Sequence, residues 1–230
     1  VPTVNGHAVC LDGETGHIVW MFPTAKSVPA EPAIDGDLVY FGSWSRSLYA
    51  FDKKTGDVVW KENGIGLDSG TLIAYQGSIY LPHHSSMFKY FDAKTGDLLS
   101  GGNTSDEDKG QYSNFNATPA FFNDRAYYTA RVGVGLRGVP MASRIYSVDS
   151  STAKVHWTFD DGGGLSAPAI ASERVYIGSG NTPLFYCLDA YTGEPLWIYK
   201  MGQRIEESTL CIYRDKLYLL SGDGYVHALK

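Results

Sequence analysis

Residues 50–60 read Ala50-Phe51-Asp52-Lys53-Lys54-Thr55-Gly56-Asp57-Val58-Val59-Trp60, and repetition of this pattern decides the fold. An apolar residue, Asp, two variable residues, Thr and usually Gly recur in five copies. The copies are residues 11–16 with Trp20, 51–56 with Trp60, 91–96, 148–152, and 188–193 with Trp197. The Asp residues of successive copies (12, 52, 92, 149 and 189) are 40, 40, 57 and 40 positions apart. A period near 40 residues, built from short strands, predicts an all-β protein of the β-propeller class.

Each full repeat contains four short apolar runs separated by turn residues. Residues 39–43 match residues 175–179, and residues 48–52 match residues 185–189, when the second and fifth copies are aligned. Runs rich in β-branched and aromatic residues between such turns predict four antiparallel strands, which make one propeller blade. The chain then holds about five to six blades and about 21 strands, one more than five blades of four strands need. Either the N-terminal strands complete the last blade and close the ring, or the chain is a piece of a larger propeller.

The repeated turn is chemically suited to a structural role. An Asp side chain accepts hydrogen bonds from backbone N–H groups two or three residues on, and Gly supplies a positive φ at little steric cost. A Trp four residues later can bury a large flat surface between neighbouring blades. Since five copies are more than one catalytic site needs, we expect no catalytic or metal-binding role for the five Asp residues.

At these residues the chain resembles the PQQ-like, or quinoprotein-type, β-propeller repeat family. Its tryptophan-docking motif is similar to A-x-D-x-x-T-G-x-x-x-W, which residues 50–60 match, and the resemblance covers nearly the whole chain. The family includes PQQ-dependent alcohol and glucose dehydrogenases. It also includes proteins that bind no quinone, such as outer-membrane assembly lipoproteins of the BamB type and sensor domains attached to kinases. Fold membership therefore does not fix the activity.

Composition bounds the class of protein. With 230 residues, 43% of them hydrophobic, we expect one globular domain spanning residues 1–230, because stacked repeats form a single unit. The net charge of −6 and scattered basic residues argue against nucleic-acid binding. No apolar run approaches the roughly 18 residues of a membrane helix, and no signal peptide is recognisable. The resemblance implies a periplasmic or extracellular location.

Three cysteines do not make a disulfide framework. Cys10 and Cys187 occupy equivalent strand positions in different blades and are expected to be buried. Cys211 lies on the first strand of the last copy, where ring closure could bring it near Cys10. The alternative is that the cysteines are small buried apolar residues.

A 17-residue excess between Asp92 and Asp149 is the largest departure from the period. It divides into residues 101–114, with the acidic run 106–108, and residues 131–143, which contain three glycines and Pro140. Insertions in propellers map to loops on one face, and that face commonly binds. The insertions therefore predict a partner or small-ligand site, the alternative being a longer solvated loop. The acidic run lacks the alternating oxygen ligands of an EF-hand loop, so calcium binding is not expected there.

Other candidate motifs carry less chemistry. His83 and His84 are adjacent in a loop and would need further ligands to bind zinc. Residues 162–164 are three glycines, but neither they nor Gly133 and Gly135 precede a helix or the G-K-[ST] sequence of a phosphate-binding loop. We expect no metal site at these positions.

Three functions remain open, in order of preference. The first is a non-catalytic propeller that binds a protein partner as an assembly scaffold or sensor module. The second is a PQQ- and Ca²⁺-dependent dehydrogenase, or a fragment of one. The resemblance implies a catalytic Asp and, in the alcohol dehydrogenases, a vicinal cysteine pair and eight blades, whereas no two cysteines here are adjacent. The third is a carbohydrate or small-ligand binder that uses aromatic side chains on one face. No cofactor is predicted except PQQ and Ca²⁺ under the second function.

Overall fold

A computed structural model describes residues 1, 3–28, 31–65, 72–82, 87–103, 113–115, 118–132, 142–152, 154–161, 165–205 and 210–229. Side chains are described for these residues except 82, 87, 88, 100–103, 113–115, 130–132, 142 and 143. Within this part of the chain the regular structure is entirely β, with 22 strands and no helix. None of the described residues forms a helix long and apolar enough to cross a membrane.

The strands form six antiparallel sheets that follow one another along the chain. The first sheet has two strands, β1 (His7–Leu11) and β2 (Ile18–Pro23). The second has β3 (Ala33–Asp35), β4 (Leu38–Ser43), β5 (Ser47–Asp52) and β6 (Val58–Asn63). The third has β7 (Ile73–Tyr75), β8 (Ser78–Pro82), β9 (Met87–Asp92) and β10 (Leu98–Asn103).

The fourth sheet has five strands, β11 (Ser113–Phe115), β12 (Ala120–Phe122), β13 (Arg125–Val132), β14 (Ala142–Asp149) and β15 (Val155–Asp160). The fifth has β16 (Ala169–Ala171), β17 (Arg174–Gly178), β18 (Leu184–Asp189) and β19 (Pro195–Lys200). The sixth has β20 (Cys211–Tyr213), β21 (Lys216–Leu220) and β22 (Val226–Leu229). Four strands per repeat, as the sequence predicts, are found in the second, third and fifth sheets.

A register shift recurs just before the repeated turn. It falls between Ala50 and Phe51 in the second sheet, and at the equivalent positions of the first, fourth and fifth sheets. Such a bulge adds one residue to a strand and increases its local twist. It therefore sets the direction in which the chain enters each Asp-containing turn.

The chain divides into two compact units, Val1–Gly102 and Asn103–Lys230. In each unit the apolar core lies between successive sheets. In the first unit one cluster joins the first and second sheets, and another, which includes Tyr40, Trp60 and Leu81, joins the second and third. In the second unit Tyr127 and Leu188 belong to a cluster between the fourth and fifth sheets. A single domain over residues 1–230 stays a prediction.

The two predicted insertion loops are partly strand. Strands β13 and β14 each have eight residues, and their pairing runs out to Val132 and Ala142. Strand β11 pairs with this outer part of β13, Asn114 facing Arg131. The insertions are therefore joined to each other as an extension of the fourth sheet. Residues 104–112, with the acidic run, and residues 133–141 lie outside the described residues.

The cysteines differ in burial and are all free thiols. Cys187 is buried, Cys10 is half-buried and Cys211 is exposed. The expectation of burial is right for Cys187 and only partly right for Cys10, which is half-buried. Cys211 lies on an exposed position of the short strand β20. Burial raises the pKa of the Cys187 thiol to about 11, so this group is an unreactive thiol at neutral pH.

Candidate functional site

The repeated Asp residues close the turns of the sheets. Asp52 Oδ1 accepts the backbone N–H groups of Lys54 and Thr55 at 2.8 and 2.9 Å, and Gly56 N donates to the Asp52 carbonyl at 2.9 Å. Equivalent bonds to the carboxylate are present at the other four Asp residues, 12, 92, 149 and 189, and the glycine N–H bond to the Asp carbonyl recurs at 12, 92 and 189.

These hydrogen bonds favour the ionised carboxylate. The Thr55 N–H holds the pKa of Asp52 below its ordinary value, and the Thr15 hydroxyl does the same most strongly for Asp12. Asp149 accepts the Ser151 and Thr152 hydroxyls as well, and its pKa is lowered to about 2, with the Ser151 hydroxyl as the main cause. A carboxylate held this way is a poor proton donor or acceptor near neutral pH.

Tryptophans of one sheet contact the turn of the next. Trp20 Nε1–H donates to Lys53 O, and Trp60 Nε1–H donates to Ala93 O, both at 3.0 Å. The ring lies over the turn glycine so closely that a Cβ built on Gly96 would be 2.8 Å from Trp60. We call this arrangement the indole–turn contact: the N–H bond to the residue after the Asp, with the ring over the glycine.

Sequence reasoning missed three participants in this contact. Trp157 makes the same contact in the second unit, donating to Ala190 O at 3.0 Å and lying over Gly193. It was overlooked because its own repeat lacks the turn glycine, although the partner turn supplies the glycine that matters. Tyrosines add a second donor to the same carbonyl: Tyr40 Oη bonds Ala93 O and Tyr127 Oη bonds Ala190 O, both at 2.9 Å.

One tryptophan and one turn stand outside the pattern. Trp197 is 38% exposed, compared with 9% for Trp60, and it has no hydrogen-bond acceptor among the described residues. At Gly16 no described atom lies within 4 Å of a built Cβ, although the Asp12 turn has the usual internal bonds. The indole–turn contact therefore forms between two sheets. Among the described residues, the Asp12 turn keeps its internal hydrogen bonds without a tryptophan over its glycine, and Trp197 keeps its place in strand β19 without a turn carbonyl to bind.

Beyond the turns, the tip of the β4–β5 hairpin has features of a binding surface. We call residues 43–47 the tryptophan tip. Arg46 N donates to Ser43 O at 2.9 Å, and Ile65 N donates to Arg46 O at 3.0 Å. Arg46 has a φ of 63°, which closes the hairpin tightly. Ser47 Oγ also donates to Asn63 Oδ1 at 3.1 Å, so the tip is tied to the neighbouring strand.

A second segment holds the tip from the other side. Trp44 N donates to Ser27 O at 2.9 Å, and the Ser43 hydroxyl lies 3.1 Å from Lys26 O and 3.3 Å from Thr24 O. Ser43 and Thr24 are fully buried. The backbone of the tip is therefore fixed by several hydrogen bonds before any ligand arrives.

The side chains that this rigid tip presents are aromatic and basic. Trp44 is 52% exposed. Lys26 and Arg46, whose backbones adjoin that of Trp44, are also exposed, and neither forms an ion pair with any described residue. The sequence contains a signal for this surface: Trp44 and Arg46 alternate with serines between two apolar runs. A turn by itself requires neither an aromatic nor a basic residue.

An Asp–His pair in the sixth sheet is better explained by local structure. His227 Nε2 lies 3.3 Å from Asp223 Oδ2, and Asp223 Oδ1 accepts Tyr225 N at 3.0 Å. The Tyr225 N–H is the main cause of a lowered pKa at Asp223. The nearby Ser221 hydroxyl donates to Gln203 O at 3.3 Å, so this hydroxyl is not aligned with the imidazole as a nucleophile would be.

Metal-binding and cofactor residues are not assembled in the part of the chain that the structure describes. No three His, Cys, Asp or Glu side chains there are close enough to hold a metal ion. His83, His84 and the glycines 162–164 lie outside the described residues. The five turn carboxylates do not form a Ca²⁺ site, because they lie in five different sheets and each already accepts backbone N–H groups.

Comparison with known proteins places this geometry in a family. A family model described as "Outer membrane protein assembly factor BamB" matches residues 1–134 and 91–230. The chain is 23% identical over 229 residues to a tetrathionate hydrolase of Acidithiobacillus ferrooxidans, covering 92% of this chain and 45% of the relative. It is 28% identical over 96 residues to the outer membrane protein assembly factor BamB of Francisella salina, covering 41% of this chain and 18% of the relative. The chain thus spans less than half the length of either relative.

Solved structures agree on the fold. The crystal structure of BamB from Moraxella catarrhalis matches 99% of this chain and 80% of its own, with a TM-score of 0.57 at 17% identity. Quinohemoprotein alcohol dehydrogenase from Comamonas testosteroni matches 88% of this chain and 41% of its own, with a TM-score of 0.67 at 15% identity. The predicted β-propeller fold is confirmed, and so is the resemblance to PQQ-like repeats. This chain belongs to the PQQ-like repeat family described as outer membrane protein assembly factor BamB.

Proposed function

We propose that this chain is a non-catalytic β-propeller that binds a protein partner, as an assembly scaffold or a sensor module. Membership of the BamB family supports a role in protein interaction. The observation that carries the proposal is the tryptophan tip, where Trp44 is 52% exposed on a backbone fixed by hydrogen bonds.

The physical reason lies in what binding costs. Exposed aromatic and arginine side chains dominate the binding energy of protein interfaces. Ordering a flexible loop on binding costs about 0.5–1.5 kcal/mol for each side chain that becomes immobile. A tip whose backbone is already fixed avoids part of that cost, so Trp44 and Arg46 can contribute more fully.

The extended β13–β14 hairpin supports the same function at a second place. It reaches farther than the β4–β5 hairpin of the second sheet, whose strands have six residues each. Longer hairpins at one end of a blade are common binding elements in repeat proteins. We also propose that the protein works in the periplasm or outside the cell, because BamB is an outer-membrane assembly factor by name.

Capture from an envelope extract of the source cells tests the proposal. The immobilised wild-type protein should retain one protein in a constant molar ratio, and Trp44→Ala should lose at least about nine-tenths of it. Val59→Ala is the matched control, because Val59 is 51% exposed on the same sheet. Equal capture by all three proteins, or no capture by the wild type, would contradict the proposal.

An enzyme is the second candidate, favoured by one observation. The match to a tetrathionate hydrolase extends over 92% of this chain, farther than the match to the BamB of Francisella salina. Since the five turn carboxylates do not form a Ca²⁺ site, we derive no step through PQQ or Ca²⁺. Titration with PQQ plus Ca²⁺, followed by absorbance and thermal shift, and an assay with tetrathionate test this candidate. Saturable stabilisation or turnover would favour the enzyme over the scaffold.

A further inference from the structure

The tryptophan tip carries an unbalanced charge. Lys26 and Arg46 are both exposed, and neither is paired with a described carboxylate. In the strand register the carboxylate residue of strand β6, Glu62, is paired with Leu48 rather than with a residue of the tip. The chain as a whole has a net charge of −6, so a bare pair of cations is unlike its average surface.

The arrangement of these groups favours a particular kind of ligand. Ser43 Oγ donates to Lys26 O at 3.1 Å, Trp44 N donates to Ser27 O at 2.9 Å and Arg46 N donates to Ser43 O at 2.9 Å, so the backbones of the two basic residues are fixed next to that of Trp44. Two exposed basic residues whose backbones adjoin that of an exposed Trp suit an extended segment with carboxylates on either side of an apolar residue. The ring supplies most of the contact area, and the charges supply attraction and orientation.

We propose that the tryptophan tip binds an acidic segment of a partner protein, with an apolar side chain on Trp44 and carboxylates at Lys26 and Arg46. This inference rests on the proposed function and adds the chemistry of the partner. It assigns separate tasks to the groups: Trp44 sets affinity at any salt concentration, whereas Lys26 and Arg46 set its dependence on salt.

Peptide binding by the full chain tests the assignment. The probe is a labelled peptide of alternating Glu and Phe, and its counterpart has Lys in place of Glu. The wild type should bind the acidic peptide and not the basic one, with affinity falling as salt rises from 20 to about 300 mM. Trp44→Ala should weaken binding about thirtyfold at every salt concentration. Arg46→Gln and Lys26→Gln should each weaken it about threefold at low salt only.

Lys54→Gln is the matched control for the charge. Lys54 is exposed in the turn at the opposite end of the same sheet, so its loss should leave peptide affinity and salt dependence unchanged. Thermal unfolding of every variant shows whether it is folded. Equal binding of the two peptides, or an equal effect of Lys54→Gln and Arg46→Gln, would overturn the inference.

The outcomes separate this inference from the proposed function. If a natural partner is captured through Trp44 but Arg46→Gln and salt have no effect, the function stands and the acidic segment is wrong. If neither a partner nor the acidic peptide depends on Trp44, both are wrong. Binding of heparin through Lys26 and Arg46 in preference to the peptide would replace the protein segment with an anionic polysaccharide and overturn the inference.

Discussion

At Gly96 two separate requirements exclude a side chain. Its φ is 80°, in the left-handed region, and a Cβ would lie 2.8 Å from the Trp60 ring. Gly36 has the first requirement alone, with a φ of 55° and no atom within 4 Å of a built Cβ. A comparison of Gly96 with Gly36 therefore separates the free-energy cost of backbone strain from that of crowding by a side chain, within one unit.

Alanine at these two positions should have unequal effects. Gly36→Ala should lower the free energy of unfolding by about 1 kcal/mol, the cost of a left-handed residue with a side chain. Gly96→Ala should lower it by about 3 kcal/mol because Trp60 must also move. Urea denaturation measures both, and equal losses would show that the ring tolerates the methyl group.

The tryptophans allow a similar comparison. Trp60→Ala should destabilise the protein by about 3–5 kcal/mol, because a buried aromatic side chain and its hydrogen bond are lost. Trp197→Ala should cost about 1–2 kcal/mol, since this ring is 38% exposed and its aromatic contacts among the described residues are with Tyr176 and Phe185 of its own sheet. If Trp60→Ala lowers the free energy of unfolding by less than about 1 kcal/mol, the indole–turn contact does not stabilise the fold to this extent.

The turn at Asp149 predicts acid sensitivity of defined sign. Its pKa falls from an ordinary 3.8 to about 2 in the folded protein, so the ionised form favours folding. This contribution is fully present above pH 4 and is lost as pH falls through about 2. Asp149→Asn should therefore lose less stability than the wild type between pH 4 and pH 2. Urea denaturation of both proteins at pH 4 and pH 2 measures the difference, and equal losses would contradict this role of Asp149.

At the scale of the strand, the end of the extended β13–β14 hairpin should be removable without loss of the fold. Val132 pairs with Ala142, so residues 133–141 can be replaced by Asn-Gly, a sequence that favours a two-residue hairpin turn. The melting temperature should change by no more than a few degrees, because the buried residues Tyr127, Tyr128 and Tyr146 stay paired. Partner capture should weaken if the hairpin binds. Loss of a cooperative thermal transition would show that the extension is part of the core.

Prediction from sequence succeeded where the period repeats and stopped where it breaks. The five turns and the four-stranded sheets follow from local signals, an Asp, a Gly and alternating apolar residues. Strand β11, Ser113–Phe115, has no such signal, since its pairing with β13 exists only because the insertion lengthens that strand. The tryptophan tip was missed for a related reason: the alternation of Trp44 and Arg46 with serines is a local signal, but the exposure of Trp44 depends on how residues 24–27 pack, which that signal does not show.

At the scale of the whole molecule, the two compact units permit a test of independence. Trp60 and Trp157 lie in different units and donate to different carbonyls, those of Ala93 and Ala190, so the effects of replacing each by alanine should add within about 0.5 kcal/mol. Tyr40→Phe and Trp60→Phe give the opposite case. Both donors use the carbonyl of Ala93, so their effects should not add. Urea denaturation of the single and double variants gives both coupling energies.

The indole–turn contact also bears on how such repeats can diversify. The acceptor is a peptide carbonyl, so the side chain beside it is free to change, and it is Lys at position 53 but Ala at positions 93 and 190. Because this contact between blades is made to the main chain, one blade can replace another without loss of the hydrogen bond. A designer could graft a sheet with altered hairpin tips between two existing ones, provided that its turn keeps the Asp and the Gly. Such combinations of blades would keep the indole–turn contacts and should still fold, while the altered hairpin tips would form new binding surfaces.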